Sequence, residues 1–278
     1  MELVDTHCHI HDSEFYDKTS LSSEEIISRA KKENVTKLIC VGTSLKSSRE
    51  AKEFCNKHQD CYFAVAMHPH EAENYTLKEL NSQMTDLEEL ISDNPDRFVA
   101  IGECGLDYYY HSSKEVLEKQ EELFRRHIEL ALRYSKPLIF HIRSSEQEDL
   151  DKKELGDAFK DFFRIVDEYG DLKGVVHSFS ATTTELKGVL ERGFFVGLNG
   201  IMTFTKDENQ LEAAKQVPHS SLLLETDAPF LTPKPFRGTI NEPKHVINIT
   251  KFLSELRGES QAFLAKQTTK NAKQLFNL

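Results

Sequence analysis

The 278-residue chain has no Cys-x-x-Cys pair, no excess of positive charge, and no run approaching the roughly 18 apolar residues of a membrane span. Each absence removes a class of protein. The five cysteines, Cys8, Cys40, Cys55, Cys61 and Cys104, are odd in number and irregularly spaced, so neither a disulfide framework nor a thiolate zinc site is expected. A reducing cytoplasm suits them. The opening Met-Glu-Leu-Val-Asp lacks the basic-then-apolar pattern of a secretory leader, so secretion and membrane insertion are not expected. Cytoplasmic localisation is the expectation, with nuclear entry open for a eukaryotic copy, although no decisive basic localisation run is present. A net charge of −11 argues against a broad footprint on duplex nucleic acid, because nonspecific DNA binding depends on Lys and Arg neutralising phosphates. It does not exclude a nuclease, since bound divalent cations supply positive charge at the scissile phosphate while the remaining surface stays acidic. With only 12 Gly and 8 Pro, 38% apolar and 29% charged residues, the composition is globular and supplies a full core.

What is present is a rhythm. Eight short segments rich in β-branched and aromatic residues recur: Leu3–His9, Lys37–Gly42, Tyr62–His68, Phe98–Leu106, Pro137–Arg143, Gly174–Ser178, Phe194–Gly200 and Leu222–Asp227. Between them Ser22–Glu33, Lys46–His58, Lys114–Tyr134, Leu155–Tyr169 and Thr183–Arg192 carry apolar residues at three- and four-residue spacing, which predicts helices. Eight βα units imply a parallel sheet with right-handed crossovers, and in one chain of this length they favour closure into a (β/α)8 TIM barrel. No Gly-x-Gly-x-x-Gly follows the first strand, which weakens a doubly wound dinucleotide-binding alternative. A Pro-rich loop, Ala228–Thr239, precedes Pro243–Leu256 and Gln261–Phe276, expected to form the last outer helix and a C-terminal capping helix. No interdomain linker is visible, so residues 1–278 read as one domain. Glu146–Glu154 reads as a solvated charged stretch.

The chemistry-bearing residues fall at the C-terminal ends of the expected strands, where barrel enzymes place their active sites. In His7-Cys8-His9 the two imidazoles, two residues apart, share the face of the barrel mouth while Cys8 turns toward the helices. Asp5 beside them could support a ligand from behind. Glu103 sits in an apolar run where an unpaired charge is costly, an objection a metal ion removes. Strand five ends in His141, strand six in His177 and strand eight in Asp227. Singly, each has an ordinary structural reading as a hydrogen-bonded core, loop or helix-capping residue; six converging from five strands do not. Mixed His and carboxylate ligands suit Zn, Mn, Co or Fe better than Ca, while Mg would need more oxygen and water in its shell. His58, His127, His219 and His245 lie in helical or loop segments and read as surface residues.

Asp5-Thr6-His7-Cys8-His9, Gly102-Glu103-Cys104-Gly105-Leu106-Asp107 and the segment from Leu222 to Leu231 resemble three hallmark segments of the TatD deoxyribonuclease family in the amidohydrolase superfamily. The likeness extends to Met67-His68-Pro69-His70, His177-Ser178-Phe179-Ser180, and Arg237-Gly238 with Asn241-Glu242-Pro243. It implies a barrel with two divalent ions, Mg, Mn, Zn or Co, and deoxyribonuclease activity, often 3′ to 5′ exonucleolytic, on DNA ends or single strands. Residue by residue, His7, His9 and Asp227 would hold one ion and His141 and His177 the other, with Glu103 bridging. Two departures are visible: Ser178 stands where many relatives have Cys, and Ala181 where Gly is usual. Neither removes a ligand.

Paired ions about 3.5–4 Å apart would polarise the phosphoryl group and activate a water, with Asp227 accepting its proton or orienting it and Glu103 setting the ion separation. His68 and His70 are expected near enough to touch substrate, and Arg237, in the loop after strand eight, to contact a phosphate. A monomer is expected. Two other classes stay open: a metal-dependent hydrolase of esters or amides, including a D-aminoacyl-tRNA deacylase, and a metal-stabilised binding barrel, which the full ligand set opposes.

Overall fold

A computed structural model describes residues 1–13, 15, 19–92, 96–109, 113–144 and 157–278; the charged stretch Glu146–Glu154 lies outside these. Eight strands run parallel in sequence order: β1 (Leu3–Cys8), β2 (Val35–Val41), β3 (Cys61–Val65), β4 (Phe98–Asp107), β5 (Leu138–Arg143), β6 (Gly174–Val176), β7 (Phe195–Leu198) and β8 (Leu222–Leu224). Helices α1 (Ser23–Lys32), α2 (Leu45–Lys57), α3 (Leu77–Ile91), α4 (Lys114–Tyr134), α5 (Ala158–Val166), α6 (Thr183–Glu191) and α7 (Glu208–Gln216) alternate with them, and α8 (Val246–Arg257) and α9 (Gln261–Phe276) follow β8. This is the expected TIM barrel. Among the described residues no helix is long and apolar enough to cross a membrane.

The strands are covered on both faces, so β8 and the first half of β4 read as continuous apolar runs rather than alternating ones, and even the polar residues of β1 are buried. Val4, Ile39, Val41, Ala64, Val99, Ala100, Ile139, Val175 and Leu223 form the inner cluster, while Leu3, Leu38, Phe63, Phe98, Phe140 and Leu222 join the larger layer beneath the helices. Helix starts are fixed locally: Ser22 with Glu25 and Thr182 with Glu185 form reciprocal caps on α1 and α6. Helix α9 closes the barrel bottom, where Ala272, Leu275 and Phe276 join the inner cluster and Lys273 reaches Glu2 at 2.7 Å.

The sheet closes differently from the way it propagates. Adjacent strands from β1 to β8 are laddered, but β8 meets β1 through one bridge, Cys8 with Ala228, and through Asp227 N–H donating to the His7 carbonyl at 2.9 Å and His9 N–H to that of Ala228 at 2.7 Å. The fully buried Asp5 carboxylate accepts from Thr226 N–H at 2.9 Å and from the Thr226 hydroxyl at 2.5 Å. Burial pushes the Asp5 carboxyl up to about 8 even though these hydrogen bonds pull it down.

Six strands stop earlier than their sequence suggests, β3 and β8 by three residues, β6 and β7 by two, and β1 and β2 by one, so His9, His68, His177 and Asp227 lie just beyond the ladders. Ser178 and Asp227 adopt left-handed φ values of 50° and 58°, which no ladder accommodates. Two of the four histidines expected at the surface are buried. His245 packs under Phe236 and bonds Asn241, while His127 faces inward from α4, accepting Met67 N–H at Nε2 (3.0 Å) and donating Nδ1–H to the Leu123 carbonyl (2.8 Å). The apolar face of α4 is where this imidazole falls, and its ring satisfies a backbone donor left free where β3 ends.

Burial holds His127 neutral, lowered to about 4 from its usual value near 6.5. The unfolded chain therefore binds the extra proton between those values, and stability is lost as pH falls from about 6.5 toward 4, by up to roughly 3 kcal/mol for this residue. Urea titrations at pH 7 and pH 5 should show a smaller acid loss in His127→Gln than in wild type; an equal loss would remove His127 from the account.

Candidate metal centre

The first ligand group straddles the β1–β8 seam. His7 and His9 face one another through their Nε2 atoms at 3.2 Å, and Asp227 Oδ1 lies 3.7 and 3.4 Å from them. His9 Nδ1 is 2.7 Å from the Val41 carbonyl, which only accepts, so Nδ1 carries the proton and the Nε2 lone pair points into the mouth. The left-handed turn at Asp227 brings its carboxylate back over β1; Asp tolerates this conformation better than most residues.

The second group surrounds Glu103. Its Oε1 is 2.5 Å from His141 Nδ1 and 2.6 Å from His177 Nε2, while its Oε2 is 3.3 Å from His7 Nε2. One carboxylate therefore touches both histidine groups. The close approach of β4 and β5 depends on Gly105, φ 144°, where a Cβ would collide with the His141 carbonyl oxygen. His141 Nε2 is held by Asp107 Oδ2 at 2.9 Å, and a clamp from Gln120 to the Asp107 backbone holds that residue in turn. Behind His177, Glu225 Oε1 lies 3.6 Å from Nδ1 and accepts Ser178 N–H at 2.5 Å.

His68 differs from the other histidines. Its Nδ1 accepts His70 N–H at 3.2 Å, and burial lowers the group to about 4, so the neutral ring carries its proton on Nε2, 3.4 Å from Glu103 Oε1. His68 thus presents a donor to the mouth, whereas a metal ligand must present a lone pair. His70 points its Nε2 at Asp107 Oδ2, 2.9 Å away, sharing that carboxylate with His141.

His9, His68, Glu103, His141, His177 and Asp227 line a cavity of about 720 Å³ together with Arg143, Ile201, Phe230 and Leu231, while His7 is buried behind them. Arg237 is not among them: its guanidinium lies over the Phe204 ring, 3.8 Å from the centroid, and donates to the Thr232 carbonyl. The arginine on the cavity wall is Arg143, stacked 3.7 Å from the Tyr109 centroid. Sequence reasoning gave no role to Asp107, Arg143 or Glu225, yet the two-residue strand period pointed at all three. Asp107 follows Glu103 and Gly105, Arg143 follows His141, and Glu225 precedes Asp227. The same period correctly turns Cys8 and Cys104 away, toward the carbonyls of Ile39 and Ile139.

The electrostatics fit cations. Burial pushes Glu103 up, but His177, His68 and His141 outweigh it and hold the carboxylate well below its usual range. Burial likewise raises Asp227, and His9 and His7 more than reverse it. Burial lowers His177 and His141, yet Glu103 carries His177 well above its ordinary value, and Asp107 with Glu103 raises His141. His7 is lowered, by burial and by the stacked His177 ring 4.0 Å away. Buried carboxylates here demand positive charge, and imidazole lone pairs and carboxylate oxygens within 4.8 Å of one another are the donor chemistry of a divalent-metal site.

Barrel and donor set together define a metal-dependent hydrolase. The chain belongs to the TatD-related DNase family, whose model matches residues 4–277. It is 34% identical over 278 residues to YabD of Bacillus subtilis, an uncharacterized metal-dependent hydrolase, with 99% of each chain covered. It is 30% identical over 263 residues to a protein of Citrobacter koseri named 3′–5′ ssDNA/RNA exonuclease TatD, covering 92% of this chain and 93% of that one. The crystal structure of YjjV, a TatD homolog from Escherichia coli K12, matches with a TM-score of 0.84 at 26% identity over 99% of this chain and 98% of its own.

Because Glu103 touches both groups, Glu103→Gln should cut divalent-ion affinity and hydrolytic rate by orders of magnitude with the circular dichroism unchanged. Cys104→Ser, one residue along on the opposite face, should leave both near wild type. Calorimetric metal titration of the two variants checks this, and equal losses would overturn the facing of β4.

Proposed function

We propose that the protein is a divalent-ion-dependent phosphodiesterase acting as a 3′ to 5′ exonuclease on DNA ends or single strands. His7, His9 and Asp227 would hold one ion, His141 and His177 the other, and Glu103 both. The observation that carries the reading is Glu103, with one oxygen 3.3 Å from His7 and the other within 2.6 Å of His141 and His177. The name of the Citrobacter koseri relative supports the substrate class.

Bound ions would supply Lewis acidity at the phosphoryl group and lower the pKa of water, the two needs of phosphodiester hydrolysis. The chain's own residues supply the remainder. Asp227 orients the attacking water or takes its proton; its carboxylate is held ionised by His9 and His7. His68 donates Nε2–H to a nonbridging or leaving oxygen, and its low proton affinity keeps it a neutral donor at pH 7. Asp107 fixes His141 by accepting at Nε2, leaving Nδ1 for the centre. Arg143, on the cavity wall, is better placed than Arg237 for the phosphate nearest the reacting bond. The surplus of acidic over basic residues limits nucleic-acid contact to the mouth, which favours ends and single strands over an extended duplex footprint.

Elemental analysis should find two divalent ions per chain, and exhaustive chelation should abolish release of nucleotides from end-labelled single-stranded DNA, with activity restored by added ions. Full activity after chelation sinks the reading; hydrolysis of aminoacylated tRNA or simple carboxylic esters in place of DNA moves the same centre to another substrate. His68→Ala should lower kcat/KM about 10- to 150-fold, the worth of one hydrogen bond to a charged group, with unchanged metal content. Loss of an ion in that variant would make His68 a ligand instead.

A further inference from the structure

Most large apolar side chains are buried, and among the described residues six are exposed: Met1, Leu77, Leu132, Phe230, Phe236 and Phe263. Two of the six lie in the loop after β8. Phe230 is the most exposed of all, at 58%, and it stands on the cavity wall with its ring centroid 6.2 Å from that of His9. Ile201 and Leu231 flank it on the same wall. An isolated exposed apolar residue needs no explanation, but a ring beside the donor cluster, on a loop fixed in place, does.

The loop is fixed by a buried amide. Asn241 donates through Nδ2 to the Phe230 carbonyl at 2.6 Å and to the Thr226 carbonyl at 2.8 Å, and its own N–H donates to the Pro229 carbonyl at 3.1 Å. Phe230 N–H donates to the Asp227 carbonyl at 2.7 Å, so the ring is tied by one turn to the carboxylate at the centre. His245 bonds Asn241 Oδ1 at 2.8 Å and holds the amide from behind. A rigid aromatic face that water must wet loses little freedom when a flat partner covers it, which is how a preorganised recognition element is built.

We propose that Phe230 is the stacking platform for the base of the nucleotide at the reacting end of a single-stranded nucleic acid. The inference rests on the phosphodiesterase reading and adds the base-recognition element that the ion-binding residues cannot provide. A nucleotide's base is one sugar away from its phosphate, so a ring beside His9 and Asp227 meets the base whose phosphate lies at the centre. Arg143 lines the same cavity from β5, offering a cation to the next phosphate. Because every base has a π-face, such a platform gives affinity with little sequence preference. It favours an unpaired terminal base, which turns freely to lay its face on the ring, over one held by its partner strand.

The test compares two short single-stranded oligonucleotides, identical except that one ends in an ordinary nucleotide and the other in an abasic tetrahydrofuran residue. The ion-loaded wild-type enzyme, Phe230→Ala, Phe230→Leu and Phe230→Tyr are assayed on both, with metal content and thermal unfolding measured alongside. On the ordinary end Phe230→Ala should lose about 5- to 150-fold in kcat/KM, chiefly through KM, and Phe230→Tyr should recover most of it. Phe230→Leu, which keeps the apolar bulk without the π-face, should recover only part and serves if the alanine variant folds poorly. On the abasic end all four proteins should agree within about twofold, since the partner of the ring is gone. Equal losses on both substrates, or none on either, would overturn the platform while leaving the nuclease reading standing. A wild-type enzyme that cleaves neither oligonucleotide but hydrolyses a carboxylic ester would end the nuclease reading, and the platform with it.

Discussion

The barrel depends on the seam between its first and last strands. Seven junctions are parallel ladders, but the eighth is held by a few backbone contacts, by the Thr6 hydroxyl donating to the Leu224 carbonyl, and by the buried Asp5 carboxyl group accepting from both donors of Thr226. A carboxylate in that position is costly to bury and leaves unsatisfied donors if removed, so it specifies one closure geometry. The residues just beyond the contact are His7 and His9 on one side and Asp227 on the other. The proposed first ion site is therefore as accurate as the seam: a slip of one residue would turn His7 and His9 toward the helices and bring Cys8 into the mouth.

Around that geometry, the chemistry of His9, His141 and His68 is decided by the other nitrogen of each ring. Val41 takes the Nδ1–H of His9, Asp107 the Nε2–H of His141, and His70 N–H occupies the Nδ1 lone pair of His68. Three imidazoles of identical composition thus become two lone-pair donors and one proton donor. None of these assignments requires an ion to be described; each follows from what a backbone carbonyl, a carboxylate or an amide N–H is able to do.

Much of this was legible in the sequence. The eight apolar segments gave the barrel, because a parallel sheet covered on both faces leaves continuous apolar runs, and the two-residue period gave the facing of His7, His9, Cys8 and Cys104. Boundaries were less legible: His9, His68, His177 and Asp227 lie past their strands, and nothing local announces the left-handed turns at Ser178 and Asp227. His127 and His245 were misread for a related reason. A histidine on a helix or in a loop carries no mark of the backbone donor or amide it will satisfy, and Met67 and Asn241 are distant or unremarkable in sequence. Arg237 drew attention by its motif, whereas Arg143 needed only the strand period continued two residues past His141. That Arg237 lies over the Phe204 ring is a matter of loop path, which no periodicity encodes.

The Asp5–Thr226 contact joins residues 221 positions apart. A ribosome delivers β1 long before β8, so His7 and His9 must wait, unmated, while the 221 positions from Asp5 to Thr226 are made. Long-range closure of this kind is slow, because a large loop entropy is spent before the contact rewards it. An ion gripped from both sides of the seam would bind the finished barrel and not its precursors, and by mass action would pull the last step to completion. Metal supply in the cell would then act as a check on assembly as well as on turnover.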